Sequence, residues 1–172
     1  MTPDRTAAEA PMLPRARFLE IVRHTPLVSV DLVLVRGGAE LLLGLRANRP
    51  AQGTWFVPGG RVAKGETLAA AVRRVARREL GLDGGAAGAS AARFLGVYEH
   101  FYPDNFADEA GTSTHYVVVA HRIDVPAGFA VAAADAQHED VRWWPLAQAA
   151  SSPAVHENSR VYARQLAAPA AG

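Results

Sequence analysis

The chain has 172 residues, 49% of them hydrophobic, which indicates one globular domain with a substantial core. Its formal net charge of +1 is too balanced to indicate nucleic acid or a charged membrane surface as the main partner. There is no cysteine, which excludes disulfides, zinc–thiolate sites and a cysteine nucleophile. Because the sequence has neither a recognisable signal segment nor a membrane-length apolar run, we expect a cytoplasmic protein.

The first predicted elements are a tail, a short helix and a long strand. Residues 1–12 are polar and contain alanine and proline, which is typical of a flexible tail before a single domain at 13–168. Residues 15–23 are predicted as a helix and residues 27–35 as a strand. Apolar residues expected on one side of that helix are Phe18, Ile21 and Val22, and those on one face of the strand are Val28, Val30, Leu32 and Leu34.

One acidic residue, Asp31, lies among the apolar residues of this strand. It is either a satisfied acid near a sheet surface or a carboxylate that accepts hydrogen bonds from the hydroxyls or the base of a bound ligand. The strand by itself leaves both interpretations open.

Two arginines flank a pair of glycines. A strand at residues 40–45 ends at Arg46, whose guanidinium is suited to bind phosphate oxygens, although a solvated loop arginine is the simpler interpretation. A short strand at 55–57 precedes Gly59 and Gly60, which are predicted to begin a loop. Their missing Cβ atoms let the backbone approach a ligand and let a carbonyl coordinate a metal. Arg61 follows directly and is a second candidate for binding phosphate.

The next segment is predicted as an amphipathic helix with Thr67 as its N-cap and Gly81 as its stop. Glu79 continues the apolar stripe of this helix at the negative end of its dipole, with no basic residue three or four positions earlier. Such a carboxylate either turns outward, pairs with an arginine from elsewhere, or binds a metal ion. The apolar stripe itself consists of Leu68, Val72 and Val75.

The second half of the chain is predicted to hold strands at 93–102, 115–125 and 141–144. A last amphipathic helix is predicted at 157–166, with Val161, Tyr162 and Leu166 as its apolar residues. The polar segment 103–114 between two of these strands is long enough to be a lid or a binding loop. This order of elements favours an α+β fold, with helices packed on a mixed sheet.

Gln137 and His138 are adjacent on a predicted loop before the strand at 141–144. An imidazole titrates near neutrality, so His138 is a candidate general base, although a surface histidine in a polar turn is the simpler interpretation.

The spacing of Gly60, Glu66, Arg74 and the run 79–82 resembles the Nudix box, a strand–loop–helix–loop motif of the Nudix hydrolase superfamily that binds a metal–diphosphate complex. The match spans residues 60–82 and implies a Nudix fold, an α/β/α sandwich with a mixed sheet. Two glutamates of the family pattern are replaced, by Val75 and Arg78. Those carboxylates usually hold additional metal ions in enzymes that break a P–O bond, so their loss implies a single divalent ion.

Longer stretches resemble the GDP-mannose mannosyl hydrolase branch of that superfamily, in which the box is depleted in the same way. These stretches are residues 25–31, 48–53, 55–62, 100–106, 114–118, 137–138 and 156–160. The resemblance implies hydrolysis of GDP-mannose, or a related GDP-hexose, to GDP and free sugar, with water attacking C1 of the sugar and inverting it. It also implies a homodimer, for which the apolar N-terminal helix is a candidate contact.

The resemblance further implies a role for each matching residue. One Mg²⁺, or Mn²⁺ in its place, would be held by the carbonyl of Gly59 together with Glu79 and Gln137, and His138 would be the general base. The residues that would stabilise charge on the departing GDP are Arg46, Arg61 and Tyr116, and those that would contact the substrate also include Asp31 and His100.

Two alternatives remain at this stage. The first is a conventional Nudix pyrophosphohydrolase that splits a nucleotide sugar into a nucleoside monophosphate and a sugar phosphate, and the depleted box argues against it. The second is a catalytically silent domain that binds a nucleotide sugar, and the presence of Glu79, Gln137 and His138 together argues against that.

Overall fold

A seven-stranded mixed sheet forms the centre of the computed structural model, which describes residues 13–82, 91–131 and 138–168, except for the side chains of residues 138 and 139. The predicted tail at 1–12 and Gln137 lie outside the described residues. The elements in chain order are α1 (Arg15–His24), β1 (Leu27–Arg36), β2 (Glu40–Arg46), β3 (Trp55–Phe56), β4 (Gly59–Arg61), α2 (Leu68–Leu80), β5 (Arg93–Tyr102), β6 (Thr114–Val125), β7 (His138–Pro145), α3 (Leu146–Ser151) and α4 (Glu157–Ala167).

The main sheet has the strand order β3-β2-β1-β6-β5, with β4 paired to β1 and β7 paired to β2. Strands β1 and β6 run parallel, whereas the other neighbouring pairs are antiparallel. The predicted α+β fold with a mixed sheet is therefore confirmed. None of the described helices is both long and apolar enough to span a bilayer.

Strand β1 is buried on both faces because helices cover both sides of the sheet. Val33 and Val35 belong to one apolar cluster together with Tyr162 of α4, whereas Leu32 and Leu34 belong to another cluster together with residues of α2. A strand covered in this way is expected to be a nearly continuous apolar run, as β1 is. The α/β/α arrangement thus places Asp31, on the α4 side, inside the protein.

Helix α2 has the predicted ends. The Thr67 side chain accepts a hydrogen bond from Ala70 N at 3.2 Å, and Gly81 has the left-handed backbone (φ 64°) that a glycine C-cap requires. Glu79 lies on the buried face with 3% of its surface exposed, so it does not turn outward. The expected burial of Leu68 is wrong, because burial begins at Ala70 and the first helical turn lies clear of the sheet.

Two other local predictions are corrected by strand pairing. The glycine pair, predicted as a loop, belongs to strand β4 because it pairs with β1. His138, predicted on a loop, begins β7 because pairing with β2 continues beyond an irregularity at Leu45/Arg46. On the predicted apolar faces of α1 and β1, Ile21 is 37% exposed and Val28 is 45% exposed.

Candidate active site

The glycine pair lies against the only acidic residue of β1. Strand β4 runs antiparallel to β1 with Gly59 opposite Asp31. A Cβ at Gly59 would lie 2.5 Å from Asp31 Oδ1 and 2.9 Å from the Val30 carbonyl oxygen. Position 59 therefore requires glycine, because any side chain would force the two strands apart or displace the Asp31 carboxyl.

Helix α2 brings a carboxylate to the same point. Gly59 N donates a hydrogen bond to Glu79 Oε2 at 3.0 Å, and Glu79 is almost fully buried. At Gly60 a Cβ would lie 2.9 Å from Val75 Cγ2, so the helix packs directly on the glycine pair. Glu79 Oε2 and the backbone of Gly59 are thus in direct contact.

Carboxylate and carbonyl oxygens are the donors that Mg²⁺ prefers, so Gly59 and Glu79 fit a magnesium ion. Among the described residues, histidine, aspartate and glutamate side chains nowhere gather in a group of three that could hold a metal. Gln137, the third expected ligand, lies outside the described residues and remains a prediction.

Arg74 connects the box helix to the loop before it. Its guanidinium donates to Glu66 Oε1 at 2.7 Å, to Glu66 Oε2 at 2.8 Å and to the Arg61 carbonyl at 2.8 Å. Glu66 also accepts a hydrogen bond from Ala63 N at 2.9 Å. The hydrogen bonds from Arg74 lower the pKa of Glu66, so this carboxylate is ionised at neutral pH and holds the loop in shape.

The two expected phosphate-binding arginines differ in their surroundings. Arg46, at the end of β2, has a buried Nε for which the described residues provide no hydrogen-bond partner, and its guanidinium lies 5.6 Å from the centre of the Phe56 ring. Arg61 is exposed on β4, with its guanidinium 3.9 Å from the centre of the Phe18 ring. Arg46 thus retains an unused donor, whereas Arg61 is held by an aromatic face.

Tyr116 on β6 experiences the charges of both arginines. Burial raises the pKa of its phenol, while the positive charges of Arg61 and Arg46 lower it. Because burial dominates, Tyr116 keeps its proton at neutral pH and can donate a hydrogen bond. The structure thus brings Arg46, Arg61 and Tyr116 into one electrostatically coupled region.

A buried network connects Asp31 to the last helix. The Tyr162 hydroxyl donates to Asp31 Oδ2 at 2.9 Å and lies 3.4 Å from His100 Nε2. Burial raises the pKa of Asp31 to about 7, opposed by the Tyr162 hydrogen bond and the charge of Arg46. Burial, assisted by His156, lowers the pKa of His100 to about 4, so its imidazole is neutral at pH 7.

Tyr162 is a site residue that was not predicted from the sequence, in which it is only an apolar-face residue of the last helix. Its partner Asp31 is 131 residues away, and a tyrosine on an apolar face is usually core. The sequence signal that could have pointed to this helix is the stretch 156–160, which resembles the GDP-mannose mannosyl hydrolase branch. It anchors α4 to the site, because Val57 N donates to Ser159 Oγ at 3.0 Å and His156 N donates to the Trp55 carbonyl at 3.0 Å.

For His138, the expected general base, the structure describes only the backbone. His138 is the first residue of β7 and stands opposite Arg46 in the β2–β7 register. This register brings an expected base and an expected phosphate-binding residue together across two strands. The role of His138 remains a prediction.

Comparison with known proteins gives related sequences and structures. The profile of the NUDIX domain family matches residues 25–165. A Haloferax volcanii protein, low-salt glycan biosynthesis protein Agl8, is 44% identical over 125 residues, which cover 72% of this chain and 76% of the relative. A MutT NUDIX hydrolase from Burkholderia pseudomallei has a TM-score of 0.59 and 25% identity, covering 83% of this chain and 98% of its own. The NUDIX domain of Shewanella oneidensis NrtR, solved with ADP ribose, has a TM-score of 0.60 and 24% identity, covering 89% and 98%, and shares the fold.

Proposed function

Because this chain belongs to the Nudix hydrolase family, we propose that it hydrolyses a nucleotide sugar, GDP-mannose or a related GDP-hexose, in a Mg²⁺-dependent reaction. The products are GDP and the free sugar, because water attacks C1 of the sugar and inverts it. The observation that carries the proposal is that α2 offers a single carboxylate, Glu79, to the glycine pair. The glycan-related name of the Haloferax volcanii relative agrees with a nucleotide-sugar substrate.

A single carboxylate on α2 favours cleavage at carbon over cleavage at phosphorus. Several metal ions acting on phosphorus need several carboxylates, and one position where the family pattern has glutamate here holds Val75, which is buried against Gly60. Attack at C1 requires mainly stabilisation of the departing diphosphate. Cationic and hydrogen-bonding groups provide that stabilisation without a metal-generated nucleophile at phosphorus.

The leaving-group side of the site is assigned to Gly59, Glu79 and Gln137 as ligands of one Mg²⁺ (or Mn²⁺). The bound ion would neutralise part of the charge that develops on the departing diphosphate. Arg46 and Arg61 bind phosphate oxygens through their guanidinium groups, and the Nε of Arg46 has no hydrogen-bond partner among the described residues.

The remaining residues act on the water and the sugar. Tyr116 keeps its proton and donates a hydrogen bond to the departing GDP. His138 takes the proton from the attacking water. Asp31 and His100 contact the sugar side of the substrate, where Asp31 accepts hydrogen bonds from sugar hydroxyls.

We place this activity in a single domain spanning residues 13–168 of a cytoplasmic homodimer. The sequence favours α1 as the dimer contact, and Leu13 and Ile21 next to and on it are exposed. Strand β5 offers larger exposed apolar side chains, Phe94 at 66% and Phe101 at 65%, and is a second candidate surface. Analytical ultracentrifugation of the protein before and after Phe94→Ser and Phe101→Ser would tell whether β5 forms the contact.

The testing experiment is incubation of the protein with GDP-mannose and Mg²⁺ in water enriched in oxygen-18. We expect GDP and mannose, with the heavy oxygen on the sugar. Production of GMP and mannose phosphate would overturn the proposal in favour of conventional Nudix chemistry. Binding of GDP-mannose without turnover would overturn it in favour of a silent binding domain. Glu79→Gln is the negative control, and Glu99→Gln on the exposed face of β5 is the matched positive control.

A further inference from the structure

We propose that Tyr162 is a positioning residue that holds Asp31 and His100 in one directed hydrogen-bond chain, from His100 Nε2–H to the Tyr162 oxygen and from Tyr162 O–H to Asp31 Oδ2. In this chain His100 is the Nε2–H tautomer, and its Nδ1 is a hydrogen-bond acceptor. The consequence for substrate rests on the proposed function, but the direction of the chain does not. The last helix would therefore set the orientation of the groups that contact the sugar.

The direction follows from the number of protons available. A tyrosine hydroxyl has one proton to donate. The Tyr162 hydroxyl oxygen lies 2.9 Å from Asp31 Oδ2 but 3.4 Å from His100 Nε2. The shorter contact is with Asp31 Oδ2, and a carboxylate oxygen is a stronger acceptor than an imidazole nitrogen. The Tyr162 proton therefore points to Asp31. The lone pairs of the Tyr162 oxygen then face His100, and only a nitrogen that carries hydrogen interacts favourably with them.

The neutral imidazole of His100 carries one ring proton, on either Nδ1 or Nε2. It is 4% exposed, and burial keeps the imidazole neutral at pH 7. A neutral imidazole has one donor and one acceptor nitrogen, and the hydrogen bond made by one nitrogen selects the tautomer. A proton on Nε2 therefore leaves Nδ1 as the acceptor.

The position of Tyr162 is itself tightly fixed. The side chain is fully buried, and its ring packs edge-to-face against Tyr98 with the ring centres 4.8 Å apart. Helix α4 is anchored to the segment after β3 by the hydrogen bond from Val57 N to Ser159 Oγ. A hydroxyl held in this way has little freedom to choose another partner.

Fixing one oxygen of Asp31 fixes the other. Asp31 Oδ1 lies against Gly59, only 2.5 Å from the point that a Cβ at this position would occupy. Tyr162 therefore holds the Asp31 carboxylate beside the glycine pair, although Tyr162 itself is shielded from solvent. Loss of its hydroxyl should loosen Asp31 and His100 together.

The first test is nitrogen-15 NMR of the metal-free protein at pH 8, above the pKa of Asp31, with labelled histidine and with the His100 signals assigned by their absence in His100→Gln. We expect the wild-type spectrum to show the Nε2–H tautomer of His100. An Nδ1–H tautomer would overturn the proposal, because the chain would then run in the opposite direction. This measurement needs only the wild-type fold, so it decides the direction even if a Tyr162 variant does not fold.

The second test compares Tyr162→Phe with Tyr98→Phe, which removes the hydroxyl from the neighbouring ring. Tyr162→Phe should mix the His100 tautomers and lower kcat/KM for the nucleotide sugar by about ten- to a hundredfold, the range of a charge-assisted hydrogen bond. Tyr98→Phe should leave both unchanged. Equal behaviour of the two variants would overturn the positioning role. If the wild type hydrolyses no nucleotide sugar, the proposed function fails, and the tautomer alone decides this inference.

Discussion

Replacing Asp31 with asparagine should stabilise the metal-free protein more at pH 8 than at pH 5. Burial raises the pKa of Asp31 from 3.8 to about 7, so the folded protein binds this proton more tightly than the unfolded chain does. The stability that comes from the protonated carboxyl is complete below pH 3.8 and is lost as the pH rises through 7. Asparagine keeps an oxygen that accepts from Tyr162 and does not ionise.

The size of the effect follows from the same shift. The whole shift corresponds to about 4 kcal/mol of unfolding free energy at high pH, using roughly 1.4 kcal/mol for each pKa unit. Proton linkage assigns about 2.5 kcal/mol of this to the interval between pH 5 and pH 8. The stability advantage of Asp31→Asn over the wild type should therefore grow by about that amount across the interval.

The assay is urea unfolding followed by the fluorescence of the three tryptophans, at pH 5 and pH 8 with a chelator present. Glu99→Gln, which removes an exposed acid, is the control and should change the unfolding free energy by less than about 0.5 kcal/mol. A flat difference between Asp31→Asn and the wild type would refute the reasoning. It would mean that the Asp31 carboxylate is ionised in the fold already at pH 5.

Gly59→Ala should lower the unfolding free energy by about 1–3 kcal/mol because its Cβ meets Asp31 and the β1 backbone, and thermal unfolding should show no such loss for Gly128→Ala, which meets nothing within 4 Å. An equal effect of the two substitutions would contradict the close approach. Glu79→Gln should abolish Mg²⁺-dependent turnover while the fold persists, because the amide oxygen still accepts from Gly59 N; retained turnover in the same assay would exclude Glu79 as a metal ligand. His138→Ala should lower turnover and remove its rise with pH, and a normal pH profile would show that the base assignment is wrong.

Local patterns were sufficient for α2 and for the class of the fold. The ends of α2 follow from Thr67 and Gly81, and the burial of Glu79 follows from its helical spacing after Val75. Such predictions succeed because capping and periodicity depend on residues within one or two turns of each other. Local patterns failed for β4 and for the start of β7, because strand pairing depends on partners far away in the sequence.

The sequence by itself determined the glycine pair, Arg61 and the capped helix that follows them, because these residues lie at short spacings along the chain. The grouping of Asp31 and Arg46 with them was implied by the resemblance to a known family. Only the tertiary structure decided what each of them contacts. It placed Gly59 against Asp31, Arg61 over Phe18, and Tyr162 between Asp31 and His100. Spacing tells which face of an element a side chain occupies, but its partner comes from packing between distant elements, and burial then sets its pKa.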